Sequence, residues 1–485
     1  MLGKFICLHD VSGKIVAFAF ALLCSGVCLG HGFGDQLNLQ IPLWLWLSGA
    51  ALTVILSFAV VIDFLPSKLA TTEYPLIDVS DSLFVSILTH PTTLWLLRIF
   101  FTTMLIFSIV TGIFGVQSAE RNLAPTMVWV IFWVGLTFLV ILFGNFWRVV
   151  NPFATIYYFL FRHTTKGNIN ERPISSWSAV LLLAIFMYVE HLWPLSSAPA
   201  ALSYLLLAYV IFTLAAMKQF GPANWLSHGE VFSVVFNVFG RFSPIKLVTR
   251  QQGRLGVFLR PPSVGLLDDR PTSLALTIFI LSLLAGVTFD GLIELPQWKN
   301  GLFELTLHLG ESVNVSSSIQ IINFLVMLLL PATFFIFLWI ACLATSHLLK
   351  SPNGPKSWDL IRHYVTTLIP IAVAYHIAHY LTLLLIDGQL IIPLASDPFG
   401  WGWNLFGTAD FKSNTKILSA NFIWYFVVAA IVIGHMLSVY LAHLVTLTLS
   451  HSKAVAVKAG TPILLLMVFY TVISLWVIAQ PALPT

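Results

Sequence analysis

The chain has 485 residues, of which 58% are hydrophobic and only 9% are charged, with a formal net charge of +4. Ordinary soluble domains carry about 25% charged residues, so these few charges cannot cover a surface that faces water. The composition therefore excludes a soluble enzyme and predicts an all-α integral membrane protein.

The N-terminal segment 1–30 is typical of a secretory signal peptide, because basic residues precede a short apolar stretch that ends in small residues. The alternative is an uncleaved anchor helix. Cleavage would make His31 the first residue, and its imidazole and free α-amine could together bind Cu, Zn or Ni. The simpler interpretation is that His31 is an exposed first residue.

The mature segment 31–485 is expected to form one polytopic membrane domain. Each of its apolar runs approaches the roughly 20 residues that cross a bilayer as a helix. About ten spans are predicted, near 41–64, 94–117, 124–144, 177–194, 199–219, 272–294, 320–344, 364–386, 420–446 and 461–480.

The distribution of Lys and Arg predicts the orientation of these spans. With the mature N-terminus outside, seventeen Lys and Arg lie in inside segments and four lie in outside loops. Cytoplasmic loops carry the excess of basic residues. We therefore expect a multi-pass protein of a bacterial inner membrane, with both mature ends on the non-cytoplasmic side.

Three loops are longer than a turn. The basic inside loop 218–272 contains the stretch 225–239, which the pattern predicts to be an amphipathic helix at the lipid headgroups. Attraction to anionic lipid explains this loop without a nucleic-acid partner. The outside loops 295–319 and 387–417 are rich in Trp and acidic residues, and they could cap a cavity or anchor at the interface. Inspection of the sequence finds no internal repeat.

Histidines within the spans are the clearest functional candidates, because ionisable groups are costly in lipid. His376 and His379 are three residues apart and share a helix face. His435 in the next span could meet them, so the three are predicted to bind one metal ion, Zn or Cu above all. The alternative is that each imidazole only hydrogen-bonds to a neighbouring group.

Two carboxylates and one further histidine lie near outer helix ends. Glu190 and Asp290 are the candidate catalytic bases, and His191 is a further candidate metal ligand. At an interfacial position, these three residues could equally be tolerated without any special role.

Short motifs along most of the chain resemble those of a bacterial membrane protein family, the fenitrothion hydrolases, which are membrane-bound organophosphate hydrolases. The motifs are His31-Gly32, Ile41-Pro-Leu-Trp44, Asn122-Leu-Ala-Pro-Thr126, Asn151-Pro152-Phe153, Phe242-Ser-Pro-Ile245, Thr288-Phe-Asp-Gly291, Ala378-His-Tyr380, Asp387-Gly-Gln-Leu-Ile-Ile-Pro-Leu-Ala-Ser-Asp-Pro398, Asn404-Leu-Phe-Gly407 and Gly434-His435. The resemblance implies a small, fairly apolar phosphoester as substrate.

Three functional hypotheses follow. The first is a metal-dependent hydrolase of such a phosphoester. The second is a permease or metal-handling protein that uses the same histidines. The third is a haem-binding membrane subunit of a redox complex, which would have a second membrane subunit as its partner.

Overall fold

The computed structural model describes residues 41–64, 74–161, 174–250, 254–268, 270–308, 315–349, 355–450 and 452–479. The predicted signal peptide and His31 lie outside these ranges. Among the described residues, nine helices are long and apolar enough to cross a membrane. The prediction of an all-α membrane bundle is confirmed.

Most of the described chain is helical. The helices of the first half are α1 (Leu43–Phe64), α2 (Leu83–Leu88), α3 (Pro91–Phe114), α4 (Leu123–Phe143), α5 (Trp147–Val150), α6 (Pro152–Leu160), α7 (Trp177–His191), α8 (Pro199–Phe220) and α9 (Val231–Gly240). Those of the second half are α10 (Leu274–Glu294), α11 (Pro296–His308), α12 (Val315–Leu349), α13 (Ser357–Tyr364), α14 (Ile369–Ile386), α15 (Ile391–Ser396), α16 (Ala420–Leu449) and α17 (Lys453–Ala479).

Helix α7 is shorter than the predicted span 177–194. It has 15 residues and ends at His191. At 1.5 Å per residue it covers about 22 Å, less than the roughly 30 Å hydrocarbon core. The ionisable pair Glu190-His191 therefore lies at the end of a helix that is shorter than the spans around it.

After α4 the chain turns at Gly144 and re-enters the bundle. Gly144 ends α4 with a positive φ of 82°, a conformation that glycine adopts without strain. The chain then passes through α5, and α6 begins in the middle of the bundle, where the side chain of Asn151 accepts hydrogen bonds from the amides of Phe153 and Ala154. This cap satisfies backbone donors that water cannot reach.

A second turn of the same kind follows α8. Gly221 ends α8 with φ 83°, and Glu230 caps the start of α9 by accepting from the amides of Phe232 and Ser233. Tyr209, halfway along α8, also donates a hydrogen bond to Glu230. The cap of α9 therefore lies at the middle of the bundle.

The prediction of a surface helix at 225–239 is wrong for most of that stretch. Helix α9 packs between α4 and α7, and eight of its ten residues are buried. Burial on nearly all sides, including the side of Ser233, is the pattern of an enclosed helix rather than an interfacial one.

The two inserted hairpins, 144–161 and 221–240, meet at their tips. The side-chain amide of Asn151 donates to the hydroxyl of Ser233 at 3.2 Å. Each hairpin has a glycine with positive φ, a capping polar residue and a half-length helix. This internal similarity escaped inspection of the sequence because the capping residues differ and the spacings are unequal.

A small antiparallel sheet lies at the end of the bundle where α9 terminates. Strand β3 (Leu255–Leu259) pairs with β1 (Ile77–Asp78) on one side and β2 (Ile245–Thr249) on the other. Two of its strands belong to the basic loop 218–272. We call this end of the bundle the basic end. The other end, where α10 carries Asp290, is called the carboxylate end.

Replacement of Gly434 should destabilise the bundle. A Cβ there would overlap the side chain of Ala374 and lie 2.7 Å from the carbonyl oxygen of Pro370, where α16 crosses α14. We expect Gly434→Ala to cost about 1–3 kcal/mol through overpacking, measured by unfolding of the purified protein in mild detergent.

Gly49→Ala is the matched control, because a Cβ on this helical glycine meets no atom within 4 Å. It should leave stability unchanged or raise it by about 0.5–1 kcal/mol. Equal stability of the two variants would contradict the close approach of α14 and α16.

Candidate functional site

Four ionisable side chains from three helices meet at the carboxylate end. Glu190 and His191 are the last two residues of α7, Asp290 lies near the end of α10, and His379 lies in the middle of α14. We call these four residues the carboxylate–histidine cluster.

Asp290 joins the two imidazoles of the cluster. Its Oδ2 lies 2.5 Å from Nε2 of His379, and its Oδ1 lies 3.4 Å from Nδ1 of His191. A carboxylate between two imidazoles fixes the orientation of both rings. It also holds a proton on the facing nitrogen of His379.

Glu190 lies on the other side of His191. Its Oε2 is 3.6 Å from Nε2 of His191, and its Oε1 accepts hydrogen bonds from the indole of Trp133 at 2.7 Å and the hydroxyl of Tyr380 at 3.1 Å. The Tyr380 hydroxyl also lies 3.3 Å from Asp290. The two carboxylates are therefore connected both through His191 and through Tyr380.

The cluster is largely removed from solvent. The exposed fraction of the side chain is 6% for His191, 13% for Glu190, 18% for Asp290 and 26% for His379. Charges in such surroundings must be paired and hydrogen-bonded. Two carboxylates and two imidazoles reach zero net charge by sharing protons, so the arrangement is suited to accepting and releasing a proton with little net change of charge.

A cavity of about 290 Å³ opens beside the cluster. Glu190, His191, Asp290 and Tyr380 form one side of it, and Trp129 and Trp133 form an aromatic wall. Ser196 and Ser197, in the connection between α7 and α8, also line it. The cavity thus reaches the loops at the carboxylate end.

The two indoles of the aromatic wall lie on a π-helical segment of α4. Residues Thr126–Leu136 form a π-helix, which has a wider turn than an α-helix and is frequent at functional sites. Trp129 and Trp133, four residues apart, share a face of this helix, and the indole of Trp129 donates to the carbonyl of Ser196 at 2.9 Å.

His376 and His435, which were predicted to share one ion with His379, lie in other surroundings. His376 is 1% exposed and is enclosed by the rings of Trp133, Phe138, Phe239 and Tyr380. His435 is also buried, and its Nδ1 lies 2.8 Å from the carbonyl of Ile431.

No group of three or more His, Cys, Asp or Glu side chains in the described ranges has the arrangement of a metal site. The side chains of His376, His379 and His435 therefore do not form the expected shared site. The Nε2 atoms of His376 and His435 have no hydrogen-bond partner among the described residues. Metal binding itself stays a prediction.

Both predicted catalytic carboxylates, Glu190 and Asp290, lie in the cluster together with His191 and His379. Sequence reasoning missed Trp129, Trp133 and Tyr380. Tyr380 directly follows His379, and this adjacency could have indicated that its hydroxyl lies near the candidate site. The indoles gave none, because Trp is common in membrane helices near the interface.

The contact between Asp290 and His379 should be energetically coupled. A double-mutant cycle of Asp290→Asn and His379→Gln is expected to give a coupling energy of about 0.5–3 kcal/mol, because each substitution leaves the other group buried without its partner. Unfolding of the purified protein in detergent is the measurement.

The control cycle pairs Asp290→Asn with His435→Gln, a buried histidine bonded elsewhere. These two changes should be additive within about 0.5 kcal/mol. A coupling of Asp290 with His435 as large as that with His379 would contradict the described contact.

Comparison of the chain with protein-family models, with curated proteins and with solved structures gave no match. The chemistry of the carboxylate–histidine cluster therefore has to be deduced from its own side chains, their distances and the cavity beside them.

Proposed function

We propose that the chain is a membrane-embedded hydrolase of a small, largely apolar phosphoester, with the carboxylate–histidine cluster as its catalytic centre. The observation that carries the proposal is the 2.5 Å contact between His379 and Asp290, the latter of which lines a 290 Å³ cavity. A carboxylate held by an imidazole beside a cavity is a suitable acceptor for the proton of an attacking water.

In this mechanism Asp290 removes a proton from a water molecule in the cavity, and the oxygen of that water attacks phosphorus. His379 keeps the Asp290 carboxylate oriented. Glu190, in its protonated form, donates a proton to the departing alkoxide or phenoxide oxygen. His191 lies between the two carboxylates and returns the proton from Asp290 to Glu190, so that one water is consumed for each ester bond broken.

The cavity walls support the substrate class that the family resemblance implies. Trp129 and Trp133 offer flat apolar surfaces, and the volume is at the lower limit of typical ligand pockets, about 300 Å³. A small aryl or alkyl ester would contact the indoles while its phosphoryl group faces Tyr380 and the carboxylates.

A divalent transition metal, Zn or Cu, remains part of the proposal. Its candidate donor atoms are the imidazole nitrogens of His191 and His379 and the carboxylate oxygens of Glu190 and Asp290, although these four side chains do not have the arrangement of a metal site as they stand. These groups bond to one another in the structure, so an ion would have to replace those contacts. When bound, it would supply a water of lowered pKa.

Substitution of the proposed base should abolish hydrolysis. We expect Asp290→Asn to lower kcat for an aryl phosphotriester, such as diethyl 4-nitrophenyl phosphate, by about 10²–10⁴-fold, because the amide cannot accept the proton of water. Release of 4-nitrophenol by protein in lipid nanodiscs is the measurement.

His443→Gln is the matched control, since His443 is a buried intramembrane histidine that packs against the ring of Phe58, away from the cluster. It should retain near-normal kcat. Absence of turnover by the unsubstituted chain across phosphate mono-, di- and triesters, with the protein folded, would refute the hydrolase proposal.

Metal binding should depend on the side chains of the carboxylate–histidine cluster and not on His376, which lies in an aromatic pocket. Mass spectrometry of protein purified without added metal is expected to find about one equivalent of Zn or Cu, lost in His191→Ala/His379→Ala. The variant His376→Ala should keep it. Loss of metal only in His376→Ala would instead restore the site predicted from the histidine spacing.

A permease is the second candidate, and the two inserted hairpins favour it. Transporters commonly bind substrates where interrupted helices begin inside the membrane, and here α6 and α9 both begin at the middle of the bundle. Solute uptake into proteoliposomes that is lost in Glu230→Gln, without any hydrolysis by the unsubstituted chain, would favour transport.

A further inference from the structure

A second cavity, of about 210 Å³, lies at the basic end, on the far side of the bundle from the carboxylate–histidine cluster. It is formed where the chain leaves α4 and α9 and enters strand β2. Arg148, Arg241, Lys246 and Arg260 line it. The proposed hydrolase mechanism uses none of these residues.

The described side chains around this cavity carry more positive than negative charge. Asp268 is the one acidic side chain among the lining residues that the structure describes. It is occupied by Lys246, 3.4 Å away, and by the hydroxyl of Tyr74 at 2.7 Å. Burial alone would lower the pKa of the Lys246 ammonium, but its contacts with Tyr74 and Asp268 raise that pKa above the ordinary value, so Lys246 stays charged.

Arg260 is the most enclosed of these cations, with an exposed fraction of 8%. Its hydrogen bonds in the described structure go to the backbone carbonyls of Ser243, Gly240 and Arg241, at the C-terminal end of α9. Carbonyl dipoles orient the guanidinium but do not neutralise its charge. Gly265 packs directly against this guanidinium, where a Cβ would collide with it.

Two side-chain amides complete the cavity. Asn145 and Asn237 line it beside the cations, and the Oδ1 atom of Asn145 is buried without a hydrogen-bond partner among the described residues. Buried polar atoms in native proteins are nearly always bonded. An amide in this position, with its oxygen and nitrogen placed either way, could bond to a hydroxyl or an oxygen of a bound anion.

We propose that this basic cavity binds a phosphate group, either that of an anionic phospholipid headgroup or free phosphate. Guanidinium groups match the geometry of phosphate oxygens, and Lys adds a point charge. Basic pockets between helices on the positively charged side of membrane proteins suit anionic headgroups. The inference does not depend on the proposed hydrolase activity, because the cavity lies at the other end of the bundle.

Two probes distinguish the sources of the phosphate. The full chain is delipidated in mild detergent, and binding of dioleoyl phosphatidylglycerol is followed by native mass spectrometry, with dioleoyl phosphatidylcholine as the reference lipid. Binding of inorganic phosphate is followed by titration calorimetry. Saturable binding of phosphatidylglycerol indicates a lipid site, and saturable binding of inorganic phosphate alone indicates a site for a soluble anion.

The variants test whether binding takes place in this cavity. Arg148→Gln removes an exposed cation from the wall, and Asn237→Asp introduces a negative charge at nearly constant volume. Each is expected to raise the Kd of the bound probe about tenfold. Arg254→Gln is the matched control, because this exposed arginine belongs to the same basic loop but lies outside the lining, and it should change Kd by about twofold or less.

Two results would overturn the proposal. One is that neither probe binds to the unsubstituted chain. The other is that a probe binds but Arg148→Gln and Asn237→Asp weaken it no more than Arg254→Gln does, which would indicate attraction to the whole basic surface. Size-exclusion chromatography of every variant identifies any that fails to fold, and either cavity variant alone is sufficient for the comparison.

Discussion

Polar groups between apolar helices must satisfy one another, because hydrocarbon supplies no hydrogen-bonding partner. This constraint governs the interior of the bundle. Helices α6 and α9 can begin halfway through it only because Asn151 and Glu230 bond the first free amides of each helix. The same constraint explains why Asp290 and Glu190 occur among imidazole, indole and hydroxyl donors rather than alone.

The inserted hairpins also account for the position of the candidate site. Helix α9 occupies the middle of the bundle next to α4 and α7, and Phe232 and Phe239 on it contact Trp133 and His376 respectively. This packing closes the space below the carboxylate–histidine cluster. The cavity beside the cluster consequently extends toward the loops at the carboxylate end.

The two ends of the molecule offer opposite chemistry. Carboxylates and imidazoles lie beside one cavity, whereas arginines and a lysine lie beside the other. Helix α10 runs between the two ends of the bundle. Asp290 lies near its C-terminal end, and Thr272, whose amide donates to the carbonyl of Arg362, lies just before its N-terminal end. The proposed proton chemistry and the proposed phosphate site thus lie at opposite ends of the bundle, and a molecule bound in one cavity would not contact a molecule bound in the other.

The sequence by itself determined the environment and the class of fold, because a chain with 9% charged residues and repeated apolar runs can bury its backbone polar groups only as membrane helices. It also indicated Glu190, His191, Asp290 and His379, since ionisable residues are rare in such helices. Only the tertiary structure decided which of them meet. The spacing of His376 and His379 is compatible with a shared ion, but rotation of α14 directs one ring into aromatic packing and the other toward Asp290. Helix periodicity specifies relative angles within one helix, whereas contacts between helices depend on how the helices pack.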